Sequence, residues 1–309
     1  LDPQFARAWS SLAATHFTLP QYSDTPRSKH YPLAVSAAQK ALAHDDSLAE
    51  AYAVLGGLAD EDGKWAEAET HFLLAITNEQ RDSTAHLWYG EHLLKLGRLD
   101  DALEEALIAY QLDPFHPGTN ALLGWIYFYL NNTSNALKYG AVAWSLGHVS
   151  GLYFQAWINQ RIGEFDRAID FAEQWDEKTA EKYDNFQIPL TLKSLIEAKI
   201  DAAQRPLLLE LLAEYEMNSS LSFETLLTLF TAYVGLDRVD EAYRVIAMVH
   251  DLDGFFRNYV WYFWRSDMAP FRQDSRFAAL VNELGMVDYW REYGWPDVCQ
   301  PAGDSVSCN

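Results

Sequence analysis

Small and large apolar residues recur along this chain at a fixed step. Ala41, Ala75, Ala109 and Ala143 stand 34 residues apart, as do Gly56, Gly90 and Gly124, and Ala68, Ala102 and Ala136. Tyr52-x-x-Leu55-Gly56 leads into Ala68, Phe72 and Ala75; His86-x-x-Tyr89-Gly90 leads into Ala102, Ala106, Ala109 and Pro114; Asn120-x-x-Leu123-Gly124-x-x-Tyr127 leads into Ala136, Gly140 and Ala143. Each unit reads as two helices. Ala and Gly fall where two helices cross closely, and the large residues fill the space beside them. Gly97-Arg98-Leu99-Asp100 is a turn between such helices, with Gly ending one helix and Asp helping to start the next.

The ends of the pattern are looser. Leu1-Asp2-Pro3 copies Leu112-Asp113-Pro114, and Trp9-x-x-Leu12-Ala13 follows, so the array enters part-way through a unit. The surplus residues of TLPQYSDTPRSKHYP are expected to form a long inter-helix loop. IGEFDRAIDFAEQW continues the pattern, 179–217 reads as a diverged hairpin broken near Pro206, and 222–235 pairs with a helix from Asp240 onward.

A step of 34 with these residue types resembles the tetratricopeptide repeat (TPR). The resemblance implies an all-α, right-handed TPR superhelix (α-solenoid) of about six to seven helical hairpins, followed by a C-terminal capping helical segment. Residues 1–250 are assigned to the solenoid and 251–309 to an aromatic-rich cap and tail. The inner face of a TPR array carries its partner, an extended or helical peptide. Its positions here are Ala53, Gly57, Asp60 and Glu61, then Leu87, Glu91, Leu94 and Lys95, then Ala121, Trp125, Phe128 and Tyr129. The expected partner-binding groove centres on Trp88, Glu91, Lys95, Trp125, Phe128 and Tyr129. The Lys and Asn clamp for a C-terminal carboxylate is missing, so chaperone-tail binding is not expected. Neighbouring helices or the C-terminal segment covering the aromatic patch is the alternative.

Charge narrows the partners. With a net charge of −21, the chain repels phosphate backbones and anionic lipids, so no direct nucleic-acid contact is expected. No run of 18 apolar residues is present, so no membrane insertion by this chain is expected. Candidate chemistry adds little. The nine histidines form no metal pattern, and no phosphate loop, nucleophile elbow or C-x-x-C exists. No enzyme activity, metal or cofactor is expected. FFRNYVWYFW, residues 255–264, suits the covering of a solenoid's last apolar face, with a homodimer contact as the alternative.

The ending from Phe271 to Cys299, F-R-x-D-x-R-F-x-x-L-x-x-x-L-G-x-x-x-Y-W and then G-W-P-D-x-C, together with DSLAEAYAVLGGLADEDGKWAEAETHFLLAI upstream, resembles the C-terminal TPR region of bacterial CadC/ToxR-like winged-helix transcriptional regulators. Related TPR regions follow nucleotide-cyclase domains. The resemblance implies a protein-interaction or signal-sensing domain, the periplasmic part of a membrane-anchored regulator. A cytoplasmic cyclase's regulatory region and a stand-alone scaffold are the alternatives. In that context Cys299 and Cys308, the only cysteines, are expected to form a disulfide, which persists in the periplasm. Two thiols in a cytosolic tail are the rival reading.

Overall fold

The computed structural model describes residues 4–23, 25–183, 191–218, 223–248, 256–303 and 305–309. The Leu1-Asp2-Pro3 motif, Phe255 and the domain boundary expected at 250/251 lie outside them.

The chain is an all-α solenoid of paired helices. In order they are α1 (Ala6–Tyr22), α2 (Arg27–His44), α3 (Ala49–Glu61), α4 (Trp65–Asn78), α5 (Ser83–Lys95), α6 (Leu99–Leu112), α7 (Pro117–Tyr129), α8 (Thr133–Ser145), α9 (Ser150–Arg161), α10 (Phe165–Tyr183), α11 (Leu192–Ile200), α12 (Arg205–Asn218), α13 (Phe223–Gly235) and α14 (Val239–Met248). Two 3₁₀ segments, Phe256–Trp264 and Ser266–Met268, lead into α15 (Ala269–Arg272), α16 (Arg276–Glu283), α17 (Met286–Tyr293) and a two-stranded hairpin, β1 (Cys299–Ala302) with β2 (Ser305–Cys308).

The repeat columns do what their size suggests. Ala41, Ala75, Ala109 and Ala143, and Ala68, Ala102 and Ala136, are fully buried. A Cβ added at Gly56 would lie 2.9 Å from the Phe72 ring, so the close crossing of α3 and α4 requires glycine. The turns also share one geometry. Gly63, Gly97 and Asn131 all take positive φ, the left-handed closure of a helix end that glycine and asparagine tolerate. At the second of these turns the Arg98 amide reaches back to the Leu93 carbonyl at 3.0 Å.

One local expectation changes. The surplus residues after α1 are not a long loop. They lengthen both helices, so that α1 takes in Pro20 and α2 takes in Pro32. Each proline removes one helical hydrogen bond and leaves the rest of its helix in place. The diverged hairpin is broken near Pro206 as expected: α11 ends at Ile200, and Pro206 is the second residue of α12, where its missing N–H costs nothing.

The chain folds into two compact units. Unit 1 is Leu1–Pro114 with Val281–Asp297, and unit 2 is Phe115–Leu280 with Val298–Asn309. The C-terminal segment therefore contributes to both. In unit 1 α17 packs on α4. In unit 2 Phe263, Trp264, Phe271 and Phe277 are buried with Phe230, their ring centroids 5.3–6.4 Å apart. Buried Arg272 ties this cluster to the end of the chain. It donates to the Phe263 carbonyl, to the Arg265 carbonyl at 2.7 Å and to the Asn309 carbonyl at 2.8 Å. Burial lowers its pKa to about 10.

Candidate partner-binding surface

In unit 1 the inner positions of α3 and α5 are tied together by charge. Asp60 is buried, and its two oxygens face Lys95 Nζ and His92 Nδ1, the latter at 2.6 Å. Burial opposes its charge, but Lys95 and His92 outweigh that and hold its pKa below the usual range. His92 is itself fully buried. Its Nε2 stands 3.2 Å from Glu69 Oε2, close in charge though off the line of a hydrogen bond. Burial pulls the His92 pKa down, Asp60 and Glu69 push it up, and the carboxylates win.

Glu69 links this network to the C-terminal segment. It accepts from Tyr89 Oη at 2.6 Å and from Tyr289 Oη, on α17, at 2.8 Å. Arg98 donates to Tyr289 Oη at 2.9 Å, and the Trp65 indole donates to the Leu284 carbonyl at 2.7 Å. Fully buried Trp290 donates to the Leu96 carbonyl at 2.9 Å. Asp297 Oδ2 then accepts from the Leu99 and Asp100 amides at 2.9 and 3.3 Å. The first turn of α6 is thus capped by a residue from the end of the chain, and not by Asp100, which lies inside the helix. Beside this seam a cleft of 290 Å³ opens between Lys64, Trp65 and Glu67 on one side and Gly285, Asp288 and Glu292 on the other.

Toward the open side of unit 1, Trp88 is half-buried, edge-on to Phe17 at 5.1 Å. Phe17 covers Gly57, where a Cβ would lie 2.5 Å from its ring. Glu61 pairs with Arg27 at 2.5 Å, takes a hydrogen bond from Tyr31 at 3.2 Å and lies 3.9 Å from Lys95. Glu91 stands among these groups. Its side chain is exposed. Desolvation pushes its pKa up to about 7; Asp60 and Glu61 add to the rise, and Lys95 opposes it.

The aromatic half of the expected groove lies in unit 2, and there the alternative of a covered patch is what the structure has. Trp125, Phe128 and Tyr129 are 7%, 2% and 4% exposed. Phe154 meets Trp125 edge-on at 4.3 Å, and Trp261 and Tyr262, from the C-terminal segment, lie 5.2 and 6.2 Å away. Buried Arg265 stacks over Trp157 at 4.7 Å and lies 6.0 Å from the Phe128 ring. The chain's own residues fill the space a peptide would need. Among the six residues expected to line the groove, only Trp88, Glu91 and Lys95 keep accessible surface.

Residues 61–117 match the tetratricopeptide repeat family model. The match covers α4, α5, α6 and the turns that close them. Solved structures extend the likeness over most of the chain. A tetratricopeptide repeat protein from Parabacteroides merdae superimposes with a TM-score of 0.53 at 12% identity, over 84% of this chain and 99% of that one. The human IFIT1 dimer with m7Gppp-AAAA gives 0.52 at 16% identity, over 81% and 65%. PilF from Pseudomonas aeruginosa gives 0.46 at 17% identity, over 80% and 91%. No curated protein matches the chain in sequence.

Sequence reasoning placed Glu91 and Lys95 correctly on one helix face, but it missed Asp60–His92–Glu69 as a buried network. Among the described residues no three His, Cys, Asp or Glu side chains are grouped to hold a metal ion, and no helix is long and apolar enough to cross a membrane. Cys299 and Cys308 face each other in register across β1–β2, their Cα atoms 4.0 Å apart and their sulfurs at bonding distance.

Proposed function

We propose that the protein is a non-enzymatic interaction module that takes a protein or peptide segment on the α3–α5 side of unit 1. Glu91 carries this reading. It is exposed, and its charge is disfavoured by Asp60 and Glu61 and favoured by Lys95. A lysine or arginine side chain from a partner would add a second favourable charge and draw Glu91 into its ionised form, with Trp88 offering apolar contact beside it. Binding then releases a proton near neutral pH, so affinity rises as pH passes through about 7. The TPR family match and the fold of the similar solved structures support an interaction role in general.

The finer reading is a periplasmic sensor attached to a membrane-anchored winged-helix regulator. Its support is the resemblance of the C-terminal motif, together with the facing cysteines. Partner binding would shift the balance between arrangements of the protomers and so the output. The gene's upstream reading frame tests the context: a winged helix and then about 20 apolar residues agrees with it, and a cyclase domain or a bare start codon contradicts it. Thiol titration tests the location. Protein taken from an oxidising compartment without reductant is expected to carry no free thiol, and two free thiols would contradict the periplasmic assignment.

A further inference from the structure

Two parts of the chain leave an apolar stripe uncovered, and the two stripes are bordered by opposite charges. On α1, Phe5, Leu12 and Leu19 recur at every seventh position, which places them on one side of the helix. They are 56%, 40% and 36% exposed, and Leu33 on α2 is 45% exposed. Two contacts join these residues into one face. His16, between Leu12 and Leu19, meets His30, one turn before Leu33, with their Nδ1 atoms 3.0 Å apart. Lys40 Nζ lies 4.5 Å from the centre of the Trp9 ring, one turn before Leu12. Lys29, Leu33 and Lys40 share one side of α2 by the same helical spacing.

The second stripe is on α12. Leu207, Leu211 and Met217 are 63%, 36% and 80% exposed, while Leu208 and Leu212 are buried on the opposite side. Glu210 and Glu214 fall between the exposed residues on the same face. A single exposed leucine needs no explanation, but a stripe with a charged border marks a contact surface. The borders differ in sign. Neither α1 nor α2 contains an Asp or Glu, in a chain with 44 of them against 23 Lys and Arg. On α12 no cation follows Arg205. Lys29, Lys40, Glu210 and Glu214 have no ion-pair partner among the described residues.

We propose that the protein associates with itself head to tail, the α1–α2 face of one copy receiving the α12 face of the next. Charge decides this pairing over its rivals. Two α1–α2 faces would set lysines against lysines, and two α12 faces would set glutamates against glutamates; only the unlike pair complements. The first face belongs to unit 1 and the second to unit 2. Because the two surfaces differ, the contact is heterologous and can repeat from copy to copy. It uses neither Trp88 nor Glu91, so this proposal and the peptide surface of unit 1 can fail separately.

The test is sedimentation velocity of the full chain from about 1 to about 100 μM, at about 0.15 M salt, where the repulsion between acidic chains is screened. The average mass is expected to rise with concentration above that of one chain. Leu12→Asp with Leu33→Asp disables the first face, and Leu207→Asp with Leu211→Asp disables the second. Each double variant is expected to weaken self-association at least about tenfold. Mixed together, they keep one intact face of each kind and are expected to form a 1:1 pair and nothing larger. A wild-type chain that stays monomeric overturns the proposal, as does a mixture that does not pair or a double variant that associates like wild type. If an aspartate variant does not fold, charge reversal decides. Lys29→Glu with Lys40→Glu is expected to weaken association, and mixing with Glu210→Lys, Glu214→Lys to restore it; no restoration overturns the proposal.

Discussion

Glu91 and His92 are neighbours in sequence with opposite surroundings, one at the open face and one enclosed, and both carry pKa values raised in the fold. The sign of each follows from linkage. Glu91 contributes stability that is complete below the ordinary glutamate value, 4.5, and is lost as pH rises through about 7. His92 contributes stability that is complete below 6.5 and is lost as pH rises through its raised native value. Asp60 and Glu69, held low, act only on the acid side. The melting temperature is therefore expected to fall from about pH 5 toward pH 8, a range that both raised groups cross. Glu91→Gln is expected to flatten the lower part of that fall. A profile identical to wild type would show that the carboxyl is solvated normally. His92→Gln should lower stability throughout, because it leaves Asp60 and Glu69 facing a neutral side chain in a buried site.

At the scale of the element, the segment 281–297 is bound to α4–α6 by directed contacts as well as by apolar burial. Trp290→Ala is expected to cost about 3–5 kcal/mol, the range for removing a large buried aromatic side chain. Asp297→Ala should cost about 0.5–2 kcal/mol through the lost cap on α6. Chemical denaturation of each variant measures both; an Asp297→Ala variant as stable as wild type would mean that water caps the helix equally well. These elements also show how far the sequence could be read. The helix hairpins were legible because alanine and glycine columns encode close crossings directly, as Ala68 and Gly56 show. The cap on α6 was not legible. Asp297 and Leu99 are nearly two hundred positions apart, and nothing in a local pattern links them. Which residues cover the aromatic positions was not legible, for a related reason. Trp125 and Phe128 occupy inner-face positions, but the residues that cover them, Trp261 and Tyr262, come from beyond the repeats.

For the whole molecule, the C-terminal segment belongs to both compact units. It does not act as a cap on the last repeat alone. Deleting 281–309 removes Tyr289, Trp290 and Asp297 from unit 1, and the β1–β2 hairpin with its Arg272 contact from unit 2. Both units are expected to lose stability, read as a lower melting temperature together with faster hydrogen exchange in α4–α6 and in α15. A terminal cap would instead leave α4–α6 exchanging at the wild-type rate. With the aromatic positions covered, the proposed partner surface is the acidic one around Trp88, Glu91 and Lys95.

That surface can be tested with short lysine- and arginine-containing peptides, titrated against the full chain at several pH values around neutrality. The account predicts that a subset binds, that affinity rises as pH passes through about 7, and that Glu91→Gln weakens binding about tenfold and removes the pH dependence, whereas Trp125→Phe leaves both unchanged. Binding of basic peptides that ignores Glu91→Gln, or no binding of any basic peptide, would contradict it.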